Sequence, residues 1–217
     1  MKYAALRGWA IAALALLSAG CSSLLPPQPE PTRFFVLTAV DLPGGSQQAA
    51  ASSPDAKLTI GLGPINFPDY LARSEIVTRA AGNRVELSSA DRWAEPLDVT
   101  FKRILSHDLA VALGGAQVAA FPWFGSPSRF DYRVEPAIDR FDADAQGTAD
   151  LAARWTIIDG TSGRVLYSST TDISVAAAPG DHAAMAAALS QAASAFAGEI
   201  AAAIRRLHAQ AEFSSHH

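Results

Sequence analysis

The chain of 217 residues has a single cysteine, Cys21, so no intrachain disulfide is open to it and a cysteine-based zinc site is excluded. Histidines are few, and no pair among His107, His182, His208, His216 and His217 has the i, i+4 spacing around a glutamate that a zinc hydrolase uses. Basic residues do not exceed acidic ones: 17 Lys and Arg stand against 21 Asp and Glu, a formal charge of -4. A mildly acidic chain lacks the electrostatic footprint of a nucleic-acid binder. The sequence contains no P-loop, no Gly-x-Gly-x-x-Gly and no Gly-x-Ser-x-Gly, so neither nucleotide chemistry nor a serine nucleophile is supported. No solenoid repeat occurs, and no residue pattern implies a cofactor.

What is present begins at the N-terminus. Lys2 and Arg7 precede an apolar run from Trp9 to Leu17, and Ser18-Ala19-Gly20-Cys21 follows. A cationic start, a short apolar run and small residues read as a secretory signal over residues 1–20, too short for a membrane span, which needs about 20 apolar residues. Cysteine directly after such a site is the bacterial lipobox pattern, in which the thiol is acylated. Leu17 stands four residues ahead of the cysteine, with Ser18 at the place where leucine is more usual. The expected covalent lipid on Cys21 anchors the chain to a membrane, and Ser22 in place of an acid resembles lipoproteins sorted to the outer membrane, periplasmic face. Removing residues 1–20 takes away Lys2 and Arg7 and no acid, which moves the formal charge from -4 to -6.

Residues 21–32 carry Pro26, Pro27, Pro29 and Pro31, an extended tether that reaches roughly 30 Å at about 3.1 Å per residue. A single domain is expected over 33–210, and 211–217 is expected as a disordered tail. Strands are predicted at 33–38, 57–62, 75–79, 85–87 and 117–121, with a Gly- and Ser-rich loop at 41–56 and a Gly82-Asn83 hairpin turn. Leu97, Phe101, Ile104, Leu105, Leu109 and Ala112 recur at helical spacing after Pro96, and Gly114-Gly115 stops that helix. The strand at 117–121 then closes a β-helix-β passage. Phe130, Tyr132, Val134 and Ile138 alternate with Arg129, Asp131, Arg133, Glu135 and Asp139, with Pro136 suggesting an edge or a bulge. Leu151 to Ile157 and Val165 to Val175 alternate likewise, an antiparallel meander. From Asp181 to about Leu207, Met185, Leu189, Ala193, Phe196, Ile200 and Ile204 form one apolar stripe with an Ala-rich back suited to close packing on a neighbour. The fold class is α/β: a mixed sheet with an antiparallel C-terminal meander and two main helices packed on it.

Candidate chemistry is sparse. Asp142-Ala143-Asp144-Ala145-Gln146-Gly147 imitates the start of a calcium loop, but its twelfth position is Ala153 where an acid is required, so a polar hairpin turn accounts for it. An envelope hydrolase would need an acidic pair such as Asp142 with Asp144, and closely spaced carboxylates in a turn are usually just solvated. Pro68, Tyr70, Leu71, Arg73 and Arg79 form the candidate partner-binding segment, since aromatic residues and arginine concentrate in contact hot spots. Alternatively Tyr70 and Leu71 plug the core while the arginines pair with nearby acids. In Arg92 to Leu97, Trp93 before a helix start suits a hydrophobic staple.

With the cysteine at 21, Arg33-Phe34-Phe35-Val36-Leu37, the Pro68 to Arg79 and Arg92 to Leu97 segments, Phe141-Asp142-Ala143-Asp144 and Leu151-x-x-x-Trp155, the chain resembles the ABC-type transport auxiliary lipoproteins, also called PqiC-like or YmbA-like. Phe34-Phe35 stands where the family often has two tyrosines, and the 41–56 loop looks like an insertion. The resemblance implies one lipid-anchored periplasmic α/β domain, no enzymatic activity, and work beside an MCE-domain protein and an ABC transporter complex that moves lipids across the envelope. It also implies a homo-oligomer. A domain holding an acyl ligand in a groove under the last helix is the alternative.

Overall fold

The computed structural model describes residues 31–40, 54–124 and 129–215. The leader at 1–20, Cys21, the tether as far as residue 30 and residues 41–53 of the long loop lie outside the described residues. Eight strands form one mixed sheet: β1 Arg33–Phe35, β2 Thr59–Leu62, β3 Glu75–Ala80, β4 Arg84–Trp93, β5 Gln117–Ala120, β6 Tyr132–Asp144, β7 Thr148–Asp159 and β8 Val165–Ala176. Two helices, α1 Leu97–Ala112 and α2 His182–Ser215, pack together and against the sheet.

Strand β6 is the axis. On one side β7 and then β8 follow it antiparallel as the expected meander. On the other side its first residues pair with β2, parallel through Ile60↔Tyr132, and its last pair with β3, parallel through Thr78↔Ala143. β5 extends the first branch, and β4 with β1 extends the second. The sheet therefore forks, and the chain between β2 and β3 runs inside the fork, touching β6 at the bridge Asn66↔Ala137.

Pro136 lies in this central strand, correcting the edge expected from its missing N–H. A strand residue's N–H and C=O point the same way, and the Pro136 carbonyl accepts from Asn66 N at 3.0 Å. Its absent donor thus faces the gap where β2 has ended at Gly63-Pro64, and no ladder bond is lost. The bulge comes later, between Ile138 and Arg140. Strand β5, expected to close a β-helix-β passage, pairs with β2 and not with β4, so α1 carries the chain from one branch to the other.

The helix patterns translate directly into burial. Leu97, Phe101, Ile104, Leu105 and Leu109 of α1 are buried, as are Met185, Leu189, Phe196, Ile200 and Ile204 of α2. The Asp181 carboxylate accepts from the backbone N–H groups of Ala183 at 2.9 Å and Ala184 at 3.1 Å, satisfying two orphan donors of α2. Alanines flanking the stripe, Ala186, Ala197 and Ala201, are buried where α1 and the sheet pack on this helix, while the Ala-rich back itself faces outward, with Ala183, Ala187 and Ala195 exposed. Helix α2 is long and apolar enough to cross a bilayer by length and composition, yet 67% of its most apolar window is buried in the domain, as befits a core helix. It also runs beyond the predicted end near Leu207, so residues 211–215, expected in the tail, are helical.

Candidate functional site

The segment singled out in the sequence is the filling of the fork. Phe67 packs edge-on against Phe101 of α1 at 5.2 Å and Phe141 of β6 at 6.0 Å, on the helix side of the sheet. Three residues later the Tyr70 hydroxyl donates to Asp142 Oδ2 at 2.6 Å. Phe141 and Asp142 are neighbours in a strand and point to opposite faces, so the segment passes through the sheet and grips both sides of it. Leu71, in a short 3₁₀ turn over Asp69–Leu71, is buried.

A polar row fixes the far side. Arg79 of β3 reaches Asp142 Oδ1 at 2.8 Å and donates to Asp150 Oδ2 on β7 at 2.9 Å, and Ser174 on β8 donates to Asp150 Oδ1 at 2.6 Å. Burial raises the Asp142 carboxyl above the ordinary carboxylate range, while the Tyr70 hydroxyl and the Arg79 guanidinium pull it back. The Tyr70 phenol is pushed upward, first by burial and then by its bond to Asp142. Asp142 is thus engaged by Tyr70 and Arg79. Asp144 instead closes the β6–β7 turn, accepting from the N–H groups of Gln146 at 3.0 Å and Thr148 at 2.8 Å. The two carboxylates serve different structural partners.

Of the five residues expected at a partner surface, Leu71 is inside, Tyr70 and Pro68 are half-buried, and Arg79 is tied into the polar row. The Tyr70 hydroxyl is committed to Asp142, and Leu71 is covered by the plug of which it is part. Arg73 remains outside, its Nε donating to the Tyr70 carbonyl at 2.8 Å. It stands on a cleft of about 260 Å3 lined by Ala72, Arg73, Ser74, Trp93, Glu95, Pro96, Leu97 and Asp98. The two segments noted separately in the sequence meet here, joined by the bond from Trp93 N to Ser74 O at 2.7 Å. Glu95 on the rim accepts from Thr100 Oγ1 at 3.0 Å and Arg103 Nη2 at 3.1 Å, and these bonds hold its carboxyl below the usual range. Trp93 is buried under the helix start, as a staple would be.

Sequence reasoning missed a second network, at the tether end of the domain. Asp91, buried in β4, takes a bidentate pair from Arg33, Nε and Nη2 at 2.7 Å each, and meets His182 Nδ1 at 2.5 Å. Hydrogen bonds from Arg33 lower its carboxyl to about 2 against the cost of burial. The first residue after the tether is thereby clamped to both the sheet and the start of α2. No local signal marks this, since Arg33 and Asp91 are 58 residues apart.

Beneath the middle of α2, Leu189, Phe196, Ile200 and Ile204 are fully buried and fill the space against the sheet. A cleft of about 310 Å3 opens at the helix's N-terminal end, where His182 and Met185 face Thr78, Leu87 and Asp144.

Solved structures share the fold. An uncharacterized protein superposes with a TM-score of 0.64 at 18% identity, over 81% of this chain and 99% of its own. A protein from Xanthomonas campestris does so with a TM-score of 0.63 at 19% identity, over 78% of this chain and 93% of its own. No curated protein matches the chain by sequence. The model of one family does match, across residues 41–201, which take in the fork, the cleft, the meander and most of α2. With that match, and with Cys21 standing ahead of it, the chain belongs to the ABC-type transport auxiliary lipoprotein component family.

Proposed function

We propose that this protein is a non-enzymatic, lipid-anchored periplasmic component of an envelope lipid-transport system, held at the outer membrane through an acylated Cys21. Its partners in this reading are an MCE-domain protein and an ABC transporter complex, and it acts as a homo-oligomer that anchors or caps the channel. The observation that carries the reading is the family match over 41–201 together with a lipobox cysteine twenty residues upstream. The site agrees with a contact role: the buried acids Asp91 and Asp142 are held by structural partners, while the cleft between Arg73 and Asp98 offers an arginine and apolar walls on a braced base. An acyl ligand under α2 would have to displace packed side chains such as Phe196 and Ile200.

The test is chemical crosslinking of intact cells followed by gentle membrane solubilisation. An MCE-domain protein is expected in the crosslinked adduct, and radiolabelled palmitate is expected on the wild-type chain but not on Cys21→Ser. Recovery of free monomers alone, or of a soluble unlabelled chain, would overturn the reading.

A further inference from the structure

Beyond β5 the chain runs Phe121-Pro122-Trp123-Phe124, and the cleft and the anchor make no use of this tip. Phe124 is 90% exposed and Phe121 41%. Behind them Trp123 packs edge-on against Phe121 at 5.3 Å and at a tilt against Phe130 at 5.2 Å. Phe130 in turn lies so close to β2 that a β-carbon on Gly61 would stand 2.9 Å from its ring. The exposed rings therefore project from a packed base.

Cations surround that base in a chain whose overall charge is negative. Lys102 Nζ donates to the Phe121 carbonyl at 3.3 Å, the Arg133 guanidinium lies 6.0 Å from the Trp123 ring, and Arg129 is exposed at the entry to β6. Asp131, the acid between these arginines, is engaged by the Thr59 N–H and hydroxyl at 2.7 Å each. Exposed aromatic rings with cations beside them match the layering of a phospholipid surface. Rings favour the boundary between acyl chains and headgroups, and long basic side chains reach the phosphates.

We propose that the Phe121 to Phe124 tip is a membrane-contact site for the surface of a phospholipid bilayer, with Phe121 and Phe124 entering the interface and Lys102, Arg129 and Arg133 meeting anionic headgroups. This rests on the anchoring reading: the tether ahead of Arg33, with its reach of roughly 30 Å when extended, is long enough to bring one face of the domain onto the same bilayer.

Reconstitute the acylated full chain with phosphatidylethanolamine–phosphatidylglycerol vesicles doped with dibrominated phosphatidylcholine, float the vesicles and record tryptophan emission. After removal of residues 1–20 the emitters are Trp93, Trp123 and Trp155, the first and last of which are buried in the core. Bromine quenching is expected to remove about a third of the emission. Trp123→Phe is expected to abolish that loss, and Phe124→Ser, a change at an exposed position that leaves the fold intact, to cut it at least about twofold. A vesicle-bound chain whose Trp123 stays unquenched would overturn this proposal and leave the anchor standing. A chain absent from the floated vesicles would overturn both. Unquenched Trp123 with dissociation of an oligomer on Phe124→Ser would assign the tip to a second copy of the chain instead.

Discussion

Three acids, Asp91, Asp108 and Asp142, are buried in this domain, and each is stabilised differently. Asp91 has Arg33 and His182, and Asp142 has the Tyr70 bond on Oδ2 and the Arg79 ion pair on Oδ1, whereas Asp108 Oδ2 on α1 has neither a hydrogen bond nor an ion pair among the described residues. Burial raises its carboxyl to about 6, with His107 and Ser194 pulling the other way. Between the ordinary value of 3.8 and about 6 the folded state holds more protons than the unfolded one, so stability falls as pH rises through that window and is flat above it. Replacing the carboxylate removes the buried charge. Asp108→Asn is expected to raise unfolding stability at pH 8 by on the order of 2 kcal/mol and to flatten the profile between pH 4 and 6 in urea titrations. An unchanged profile would mean that the α1–α2 seam hydrates this group.

Tyr70 supplies the opposite case, a donor whose loss leaves a buried carboxylate less satisfied. Tyr70→Phe keeps the ring and removes only the 2.6 Å bond to Asp142. Charge-assisted bonds of this kind contribute about 1.5–3 kcal/mol, and equilibrium unfolding should show a loss of that size. A loss under about 0.5 kcal/mol would show that packing alone holds the plug in the fork. At this scale the sequence was least legible. Tyr70 and Asp142 are 72 residues apart, and nothing local to either distinguishes a partnered core acid from a solvated one.

Among elements, legibility followed period. The stripes of α1 and α2 and the alternation in β7 and the first half of β6 could be read because each buries one face, and β8 repeats the alternation on a face that is only half-buried. Strand β4 was expected over 85–87 and runs from Arg84 to Trp93, because its polar residues disguise it: Asp91 points inward against Arg33 and His182 instead of toward water. The β7–β8 turn was placed correctly at 159–163, but the tightness at its start was not visible. Gly160 N donates to the Asp131 carbonyl at 3.0 Å, and a β-carbon on Gly160 would fall 1.9 Å from the Phe130 carbonyl oxygen. Backbone cannot swing aside as a flexible side chain does. Gly160→Ala is therefore expected to destabilise by about 1–3 kcal/mol or more, seen as a lowered Tm, whereas Gly163→Ala meets no atom within 4 Å and is opposed only by its φ of 71°. Equal effects at the two positions would contradict the close approach of β6 to this turn.

For the whole molecule, the decisive feature is the fork, which no periodicity announces because it arises from two short strands sharing one long partner. Its filling gives the segment 67–73 two unlike halves: an inner half locked by Phe67, Tyr70 and Leu71, and an outer half ending in Arg73 over the cleft. A partner that docks on the cleft would therefore be sensed at Arg73 without disturbance of the core. Arginine anchors in interface centres contribute about 2 kcal/mol or more, equivalent to roughly thirtyfold in affinity. Arg73→Glu is accordingly expected to reduce recovery of the crosslinked MCE-domain partner by that order while leaving Tm and palmitate labelling unchanged. Tyr70→Phe should do the reverse, lowering Tm while the cleft still binds below the new midpoint. Loss of partner in both variants in proportion to their loss of stability would remove the cleft from the contact, because then only the fold, and not the arginine, would have been needed.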